Sequence, residues 1–337
     1  MTTKDASSLS GRIIDFHVHL PLRDASGDVS RAVEVLLHEM DNAGVSTALV
    51  IAIEASPEIL RRHVTPELLR SAVQPLAYDW KALTHPTLYS IMTDPEGVLR
   101  DQVKLYENHL APSELVAEAV NASGGRLLGV ASYCRLNSPE EYVERLERLR
   151  RDSLIVGVKV YPTLHFIKPD APELEYVYDY LESEGLLLIV HTGCDPGIWE
   201  LPALCTTANP RYLEPVARRH RDLTIIVAHM GSYSYLFPGI YFAEALRLAR
   251  SHDNVYLDTS ATTLHQVKIA LSRVGVEKLL YGSDYPYFSG LHMSDIVEAY
   301  LEFRVPGWVK EAILHDNAAR LLASLGLRLP SLGGAPG

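Results

Sequence analysis

Eight short apolar runs recur along the 337-residue chain, and they restrict its fold more than any other feature of the sequence. Most are nearly continuous series of Val, Ile and Leu, the pattern of parallel strands that are covered on both faces. Segments with helical periodicity lie between them, and the segment 138–152 begins with Ser-Pro-Glu-Glu, which is typical of a helix N-terminus. This alternation predicts an α/β fold, the (β/α)₈ TIM barrel. The predicted strands are RIIDFH (12–17), TALVIAI (47–53), LLGVASY (127–133), IVGVKVYP (155–162), LLLIVHTG (186–193), TIIVAHMG (224–231), NVYLDTS (254–260) and KLLYGSDYP (278–286).

The connection between the second and third predicted strands does not fit a regular barrel. Residues 54–126 are far more numerous than those of a usual loop between a strand and a helix. We therefore predict a distorted barrel with a partly helical cap of about 54–126 inserted over its C-terminal face. The barrel core would span 12–325 within a single domain of residues 1–337.

Charge and composition limit the expected partners. Apolar residues make up 47% of the chain and charged residues 22%, the balance of a globular protein. The formal net charge is -11 and no Lys/Arg-rich block is interleaved with aromatic residues, so we expect no nucleic-acid partner. No stretch approaches the about 18 apolar residues of a membrane span, and the N-terminus has no apolar signal segment. We expect a cytoplasmic protein that binds a small-molecule substrate, with a homodimer as one alternative for its assembly.

The three cysteines, Cys134, Cys194 and Cys205, predict neither a disulfide framework nor a Cys-x-x-Cys zinc site, because they are few and irregularly spaced. We expect free thiols in a reducing compartment. Cys194 in particular is interpreted as a buried free cysteine.

Histidines mark the ends of several predicted strands. His17 and His19 are two residues apart on one strand, so their side chains should leave the backbone on the same face. Taken alone, such a pair more often closes a strand without binding anything. However, His191, His229 and Asp284 also stand at strand ends, where the catalytic residues of barrel enzymes converge. Together, these positions predict a metal site.

The predicted donors are imidazoles and a carboxylate, which suit Zn²⁺ and also Mn²⁺ or Fe²⁺. In a catalytic site, Zn²⁺ can lower the pKa of a bound water to near neutrality. We expect one divalent metal ion per chain, most simply zinc, with a two-metal site as the alternative.

The strand-end motifs also resemble those of a known family. His-Val-His after the first strand, VHTG at His191, AHMGS at His229, YGSDYP at Asp284 and ILHDNAARLL at 313–322 together resemble the amidohydrolase superfamily. Within it, the chain is most similar to amidohydrolase family 2, which includes the aminocarboxymuconate semialdehyde decarboxylases. The resemblance covers nearly all of 12–325, apart from the predicted cap, and it implies the same barrel fold.

The resemblance also implies roles for the strand-end residues. The metal would be held by His17, His19, His191 and, in the decarboxylase-like branch, Asp284. His229 would then act on the metal-bound water or on the substrate. In hydrolytic relatives the strand-eight aspartate instead takes the proton from the attacking water, so Asp284 is both a candidate ligand and a candidate catalytic residue.

Lys159 on the fourth predicted strand has three readings. As an ammonium group it would bind a substrate carboxylate or pair with Asp284, which is the reading that we favour. As the carboxylated lysine of some superfamily members it would bridge two metals, with His191 and His229 on the second ion. It could also be purely structural.

Three further residues are weaker candidates. Arg135 could hold a substrate carboxylate through two hydrogen bonds, although exposed loop arginines are common. Tyr161 should flank the pocket and contact substrate. Asp258 either orients a ligand histidine or simply ends a strand.

Three functions fit these residues. The first is a metal-dependent hydrolase, in which metal-activated water attacks a small carboxylated or cyclic substrate such as a lactone or an amide. The second is a decarboxylase or hydratase of an unsaturated acid that uses the same site. The third is an inactive barrel that only binds a metal or a ligand, and the complete set of candidate ligands argues against it.

Overall fold

Eight parallel strands form one sheet in chain order in the computed structural model of the protein. Each strand pairs with the next, as successive βα units require. The strands are β1 (Ile13–Val18), β2 (Val45–Ile51), β3 (Leu127–Ser132), β4 (Ile155–Val160), β5 (Leu187–Gly193), β6 (Ile225–Tyr233), β7 (Val255–Asp258) and β8 (Leu279–Leu280). The structure describes residues 9, 11–74, 84, 86–108, 110–135, 138–196, 200–234, 237–287 and 290–327.

The sheet curls until the segment after β8 reaches β1. The Phe16 N–H donates to the Tyr281 carbonyl at 2.8 Å, and the His19 N–H donates to the Tyr285 carbonyl at 2.7 Å. The segment 278–286 was predicted to be a strand, but β8 itself has only two residues. Beyond β8 the chain contacts β1 through separate hydrogen bonds, which do not form a continuous ladder. The predicted TIM barrel is confirmed.

Helices surround the barrel and fill the long connection. They are α1 (Val29–Ala43), α2 (Pro57–His63), α3 (Pro66–Val73), α4 (Pro86–Thr93), α5 (Pro95–Asn108), α6 (Ser113–Ala122), α7 (Pro139–Asp152), α8 (Pro162–His165), α9 (Glu175–Ser183), α10 (Glu214–Arg219), α11 (Phe242–Ser251), α12 (Leu264–Val274), α13 (Met293–Glu302), α14 (Gly307–Glu311) and α15 (Asn317–Ser324), with 3₁₀ turns at Pro172–Leu174, Pro202–Ala208, Pro210–Leu213 and Val276–Lys278 and a π turn at Ala312–Asp316. In the described part of the chain, no helix is both long enough and apolar enough to cross a membrane.

The inserted cap begins and ends at one backbone pair. Ile53 and Ala111 exchange two hydrogen bonds, from the Ile53 N–H at 2.9 Å and from the Ala111 N–H at 3.1 Å. Between them lie α2 to α5, and α3 packs on the 3₁₀ turn after β5, which places the cap at the C-terminal end of the barrel. α6 packs against β2 and β3, so the last part of the 54–126 connection is the barrel's own helix. Within the connection, residues 75–83, 85 and 109 lie outside the described residues.

Side chains alternate between two apolar clusters along the strands. On β5, Leu187 and Ile189 belong to the cluster inside the barrel, whereas Leu188 and Val190 pack in the cluster between strands and helices. Because successive strand residues face opposite sides, His191 must point into the barrel.

Candidate active site

A cavity of about 240 Å³ lies at the carboxyl ends of the strands. The structure brings together there all five strand-end residues named from the sequence, and the predicted Tyr161 with them. The ring and carboxylate groups of these residues therefore face one shared cavity. The lining residues are His17, His19, Ile53, Tyr161, Thr163, Leu164, His191, Glu200, His229, Tyr233, Asp284 and Tyr287.

The two histidines of β1 each have one ring nitrogen bound to an acceptor outside the cavity. His17 Nδ1 lies 2.6 Å from Asp258 Oδ2, and His19 Nδ1 lies 2.9 Å from the Ile51 carbonyl oxygen. Since a carboxylate and a carbonyl can only accept, both Nδ1 atoms carry the proton and both Nε2 atoms keep a lone pair. The two Nε2 atoms lie 3.5 and 3.4 Å from Asp284 Oδ1. Asp258 thus accepts from His17, as one of its two interpretations expected, and it is also the last residue of β7.

The protonation of His229 follows from its neighbours in the same way. The Ser260 hydroxyl donates to Asp258, so its oxygen is free to accept from His229 Nδ1 at 2.8 Å. His229 Nε2 therefore keeps its lone pair, and it lies 3.1 Å from His191 Nδ1.

Left-handed backbone conformations set the direction of the His229 and Asp284 side chains. Ala228 packs inside the barrel, so alternation alone would turn His229 outward. Instead His229 has a φ of 61° and Met230 a φ of 49°, and Asp284 has a φ of 58°. Such conformations cost non-glycine residues on the order of 1–2 kcal/mol each and are concentrated at functional sites.

The donor set fits a divalent metal ion. Nitrogen or oxygen ligands about 2.0–2.1 Å from one tetrahedral ion lie about 3.3–3.4 Å apart, close to the 3.4 and 3.5 Å measured from Asp284 to His19 and His17. Ligand atoms of His17, His229 and Asp284 all lie within 4.8 Å of one another. In the set predicted from the sequence, His191 stood in place of His229, and in the structure His191 reaches this group through its contact with His229.

Burial keeps the imidazoles of His17 and His229 neutral. It lowers the pKa of His17 well below the usual value, and the neighbouring Lys159 lowers that pKa further. Burial likewise lowers the pKa of His229, assisted by His191 and His17. Neutral imidazole is the form that can bind a metal or accept a proton.

Lys159 is completely buried beside this group. Its Nζ lies 3.4 Å from His17 Nε2 and 5.2 Å from the centre of the Tyr161 ring. Burial lowers the pKa of Lys159 to about 8, and the carboxylates of Asp258 and Asp284 oppose this shift.

Arg135 does not reach the cavity. One of its terminal nitrogens, Nη1, donates to the Phe166 carbonyl at 2.8 Å, and its Nε lies 2.5 Å from a Glu173 oxygen. These two acceptors hold the guanidinium group, so the structure does not bring Arg135 to the cavity, where it was expected to hold a substrate carboxylate.

Tyr233 and Glu200 are cavity residues that had no signal in the sequence. Tyr233 lies with its ring centre 4.9 Å from those of His191 and His229, because β6 continues two residues beyond its predicted end. Glu200 is buried, and its Oε1 lies 3.0 Å from His191 Nε2. It lies in an irregular segment after β5, where no periodicity indicates a direction.

The segment with Glu200 is closed by a disulfide between Cys194 and Cys205, and their Cα atoms are 5.2 Å apart. The expectation that these two cysteines are free thiols was wrong. Ten residues separate them in the sequence, and only the fold of this loop brings them together. Cys134 is free.

Comparisons with solved structures find the same fold over nearly the whole chain. An uncharacterized TIM-barrel protein from Bordetella bronchiseptica has a TM-score of 0.64 at 18% identity, over 94% of this chain and 99% of that one. A 5-carboxyvanillate decarboxylase from Sphingomonas paucimobilis has a TM-score of 0.58 at 17% identity, over 93% and 99%. A probable 2-pyrone-4,6-dicarboxylic acid hydrolase from Acinetobacter baumannii has a TM-score of 0.57 at 15% identity, over 94% and 100%.

The sequence was also compared with curated proteins and with protein families. No curated protein matches it. The profile of the amidohydrolase family matches residues 14–323, a range that includes every strand-end histidine and Asp284. The chain therefore belongs to the amidohydrolase family.

Proposed function

We propose that the protein is a metal-dependent hydrolase that opens a small lactone, amide or related substrate. The observation that carries the proposal is the direction of the ring nitrogens. His17 and His19 each use Nδ1 for a partner outside the cavity and turn Nε2, with its lone pair, toward Asp284. Such an arrangement of lone pairs is what a divalent cation requires.

A divalent ion such as Zn²⁺, when bound, lowers the pKa of a water and polarises a carbonyl group. The residues of the chain would supply binding and proton transfer. His17, His19, His191 and Asp284 would hold the ion, as expected for this family. His229 would accept the proton of the attacking water at Nε2, because its Nδ1 is already committed to Ser260.

The cavity sets the size and charge of the substrate. Its volume of about 240 Å³ is below the roughly 300–1,000 Å³ of sites for drug-sized ligands, so the substrate is small. Lys159 is buried beside His17 and is not one of the lining residues, and its charge would attract a carboxylate of the substrate toward this side of the cavity. Tyr161, Tyr233 and Tyr287 would pack on a planar ring, and their phenols stay protonated because burial raises the pKa of each.

A second candidate is decarboxylation of an aromatic or unsaturated acid. The tyrosine-lined wall and the similarity to 5-carboxyvanillate decarboxylase favour it. The neutral state of His229 favours hydrolysis instead, because protonation of a carbanion-like carbon needs an acid at this position.

The proposal is tested by metal content and by products. Wild-type protein, stripped and reloaded, should retain about one zinc per chain, and a double variant His17→Ala/His19→Ala should retain none. A screen of lactones, amides and unsaturated acids would then compare ring-opened acid with released CO₂. Stoichiometric zinc in the double variant would refute the site, and CO₂ as the only product would replace hydrolysis by the second candidate.

A further inference from the structure

Glu200 is held in a fixed position by two donors of its own. The Thr163 hydroxyl donates to Oε1 at 2.8 Å, and the Asp195 N–H donates to Oε2 at 2.8 Å. Only 5% of the residue is exposed, and the disulfide Cys194–Cys205 closes the loop around it. The carboxylate therefore has a defined orientation independently of His191.

The third neighbour of this carboxylate is His191. Its Nε2 lies 3.0 Å from Glu200 Oε1, although the angle is not that of a hydrogen bond, and this buried nitrogen has no other hydrogen-bond partner. Its Nδ1 faces His229 Nε2 at 3.1 Å. In the neutral form that can bind a metal ion, an imidazole carries a single N–H, so His191 in that form places it on one side or the other.

The two choices have opposite consequences. With the proton on Nδ1, His191 donates to the lone pair of His229, and both nitrogens are then unavailable to an ion or a water. With the proton on Nε2, two lone pairs face each other at 3.1 Å, and a cation bound at His191 Nδ1 or a water that donates to His229 Nε2 relieves their repulsion.

We propose that Glu200 is a positioning residue that holds His191 with its proton on Nε2 and so keeps the Nδ1 lone pair available to a metal ion. The inference rests on the proposed metal-dependent function. A carboxylate can only accept, so an Nε2–H facing it is favourable and a bare Nε2 is not. Metal-ligand histidines commonly have such an outer acceptor, and for His17 the structure provides it in Asp258.

The most informative variant is Glu200→Gln, because glutamine has nearly the same shape as glutamate but carries an amide that can donate. Because the Asp195 backbone N–H is fixed, the amide oxygen must take the position of Oε2. The amide N–H₂ group then takes the position of Oε1 and donates to His191 Nε2, while the Thr163 hydroxyl rotates to accept. The variant should therefore move the His191 proton to Nδ1.

The tautomer is read in metal-free protein from long-range ¹H–¹⁵N spectra with labelled histidine, and the signals are assigned by comparison with His191→Asn. We expect an Nε2–H tautomer in the wild type and an Nδ1–H tautomer in Glu200→Gln. The dissociation constant for zinc, measured by chelator competition, should rise by about 10- to 100-fold in Glu200→Gln and in Glu200→Ala. Glu184→Gln makes the same chemical change at an exposed carboxylate bound to Arg150, and it should alter neither quantity.

An Nδ1–H tautomer of His191 in the wild type would overturn the proposal, whether or not the variants fold. Unchanged zinc affinity in folded Glu200→Gln would do the same. If the wild type binds no zinc but shows the Nε2–H tautomer that Glu200→Gln reverses, Glu200 positions His191 as proposed and the metal-dependent function fails by itself.

Discussion

Replacing Asp258 with asparagine tests whether the histidine protons are set by the carboxylates around the cavity. The Ser260 N–H donates to Asp258 Oδ1 at 2.7 Å, so the oxygen of an asparagine must take that position. Its N–H₂ group would then face His17 Nδ1, where Oδ2 now accepts at 2.6 Å. His17 would respond by moving its proton to Nε2, toward Asp284.

The size of the effect follows from the bond that is reversed. A buried hydrogen bond to a charged group contributes about 1.5–3 kcal/mol, and at 2.6 Å between fully buried partners we take the upper end. To bind an ion, His17 in the variant would have to give up the new tautomer at that cost. At about 1.4 kcal/mol per factor of ten, zinc should bind roughly 100-fold more weakly.

Zinc affinity by chelator competition, together with the tautomer of His17 by ¹⁵N NMR, measures both parts of the expectation. Asp253→Asn, at an exposed position before β7, is the matched control and should behave as the wild type. Zinc binding within threefold of wild type in a folded Asp258→Asn protein would refute the reasoning, because the carboxylate would then not determine which nitrogen His17 presents.

Three further expectations concern the residues around this centre. His229→Asn should keep its zinc while kcat falls by about 10² to 10⁴, whereas Asp284→Asn should lose zinc as well as rate; parallel loss of metal and activity in His229→Asn would make His229 a ligand. Burial lowers the pKa of Lys159 from 10.5 to about 8, so on raising the pH the folded protein releases this proton before the unfolded protein does. The free energy of unfolding of the wild type relative to Lys159→Met, from urea titrations, should therefore rise by up to about 3 kcal/mol between pH 8 and pH 10.5. A difference that does not change with pH would contradict the burial argument. Thiol titration of denatured, unreduced protein should find Cys134 alone, and three thiols there would contradict the disulfide.

The barrel and its strand-end residues could be predicted because both depend on local patterns. Apolar runs gave the strands, and strand order in a βα barrel follows chain order. Strand alternation also accounts for His191, since Ile189 packs inside the barrel. For His229 the strand end indicated the site, but the left-handed backbone that turns its ring inward leaves no pattern in the sequence.

The parts that could not be predicted depend on loop conformation. Glu200 and the disulfide near it belong to an irregular segment, where residue spacing does not determine direction. For Arg135 the error is the opposite: it was predicted at the site because it is close to a strand end in sequence, but Glu173 holds it away from the cavity. Proximity to a strand end is therefore not sufficient by itself to predict a cavity residue.

The backbone pair between Ile53 and Ala111 has a consequence for how such an enzyme changes its substrate. Because the two ends of the cap are held side by side, the length of chain between them has little effect on the barrel, and the entropy of closing such a loop grows only slowly with length. Ile53 itself lines the cavity. Insertions and exchanges of sequence within the cap can therefore be accommodated over evolutionary time without displacing Ile53 or the strand-end residues of the proposed metal site.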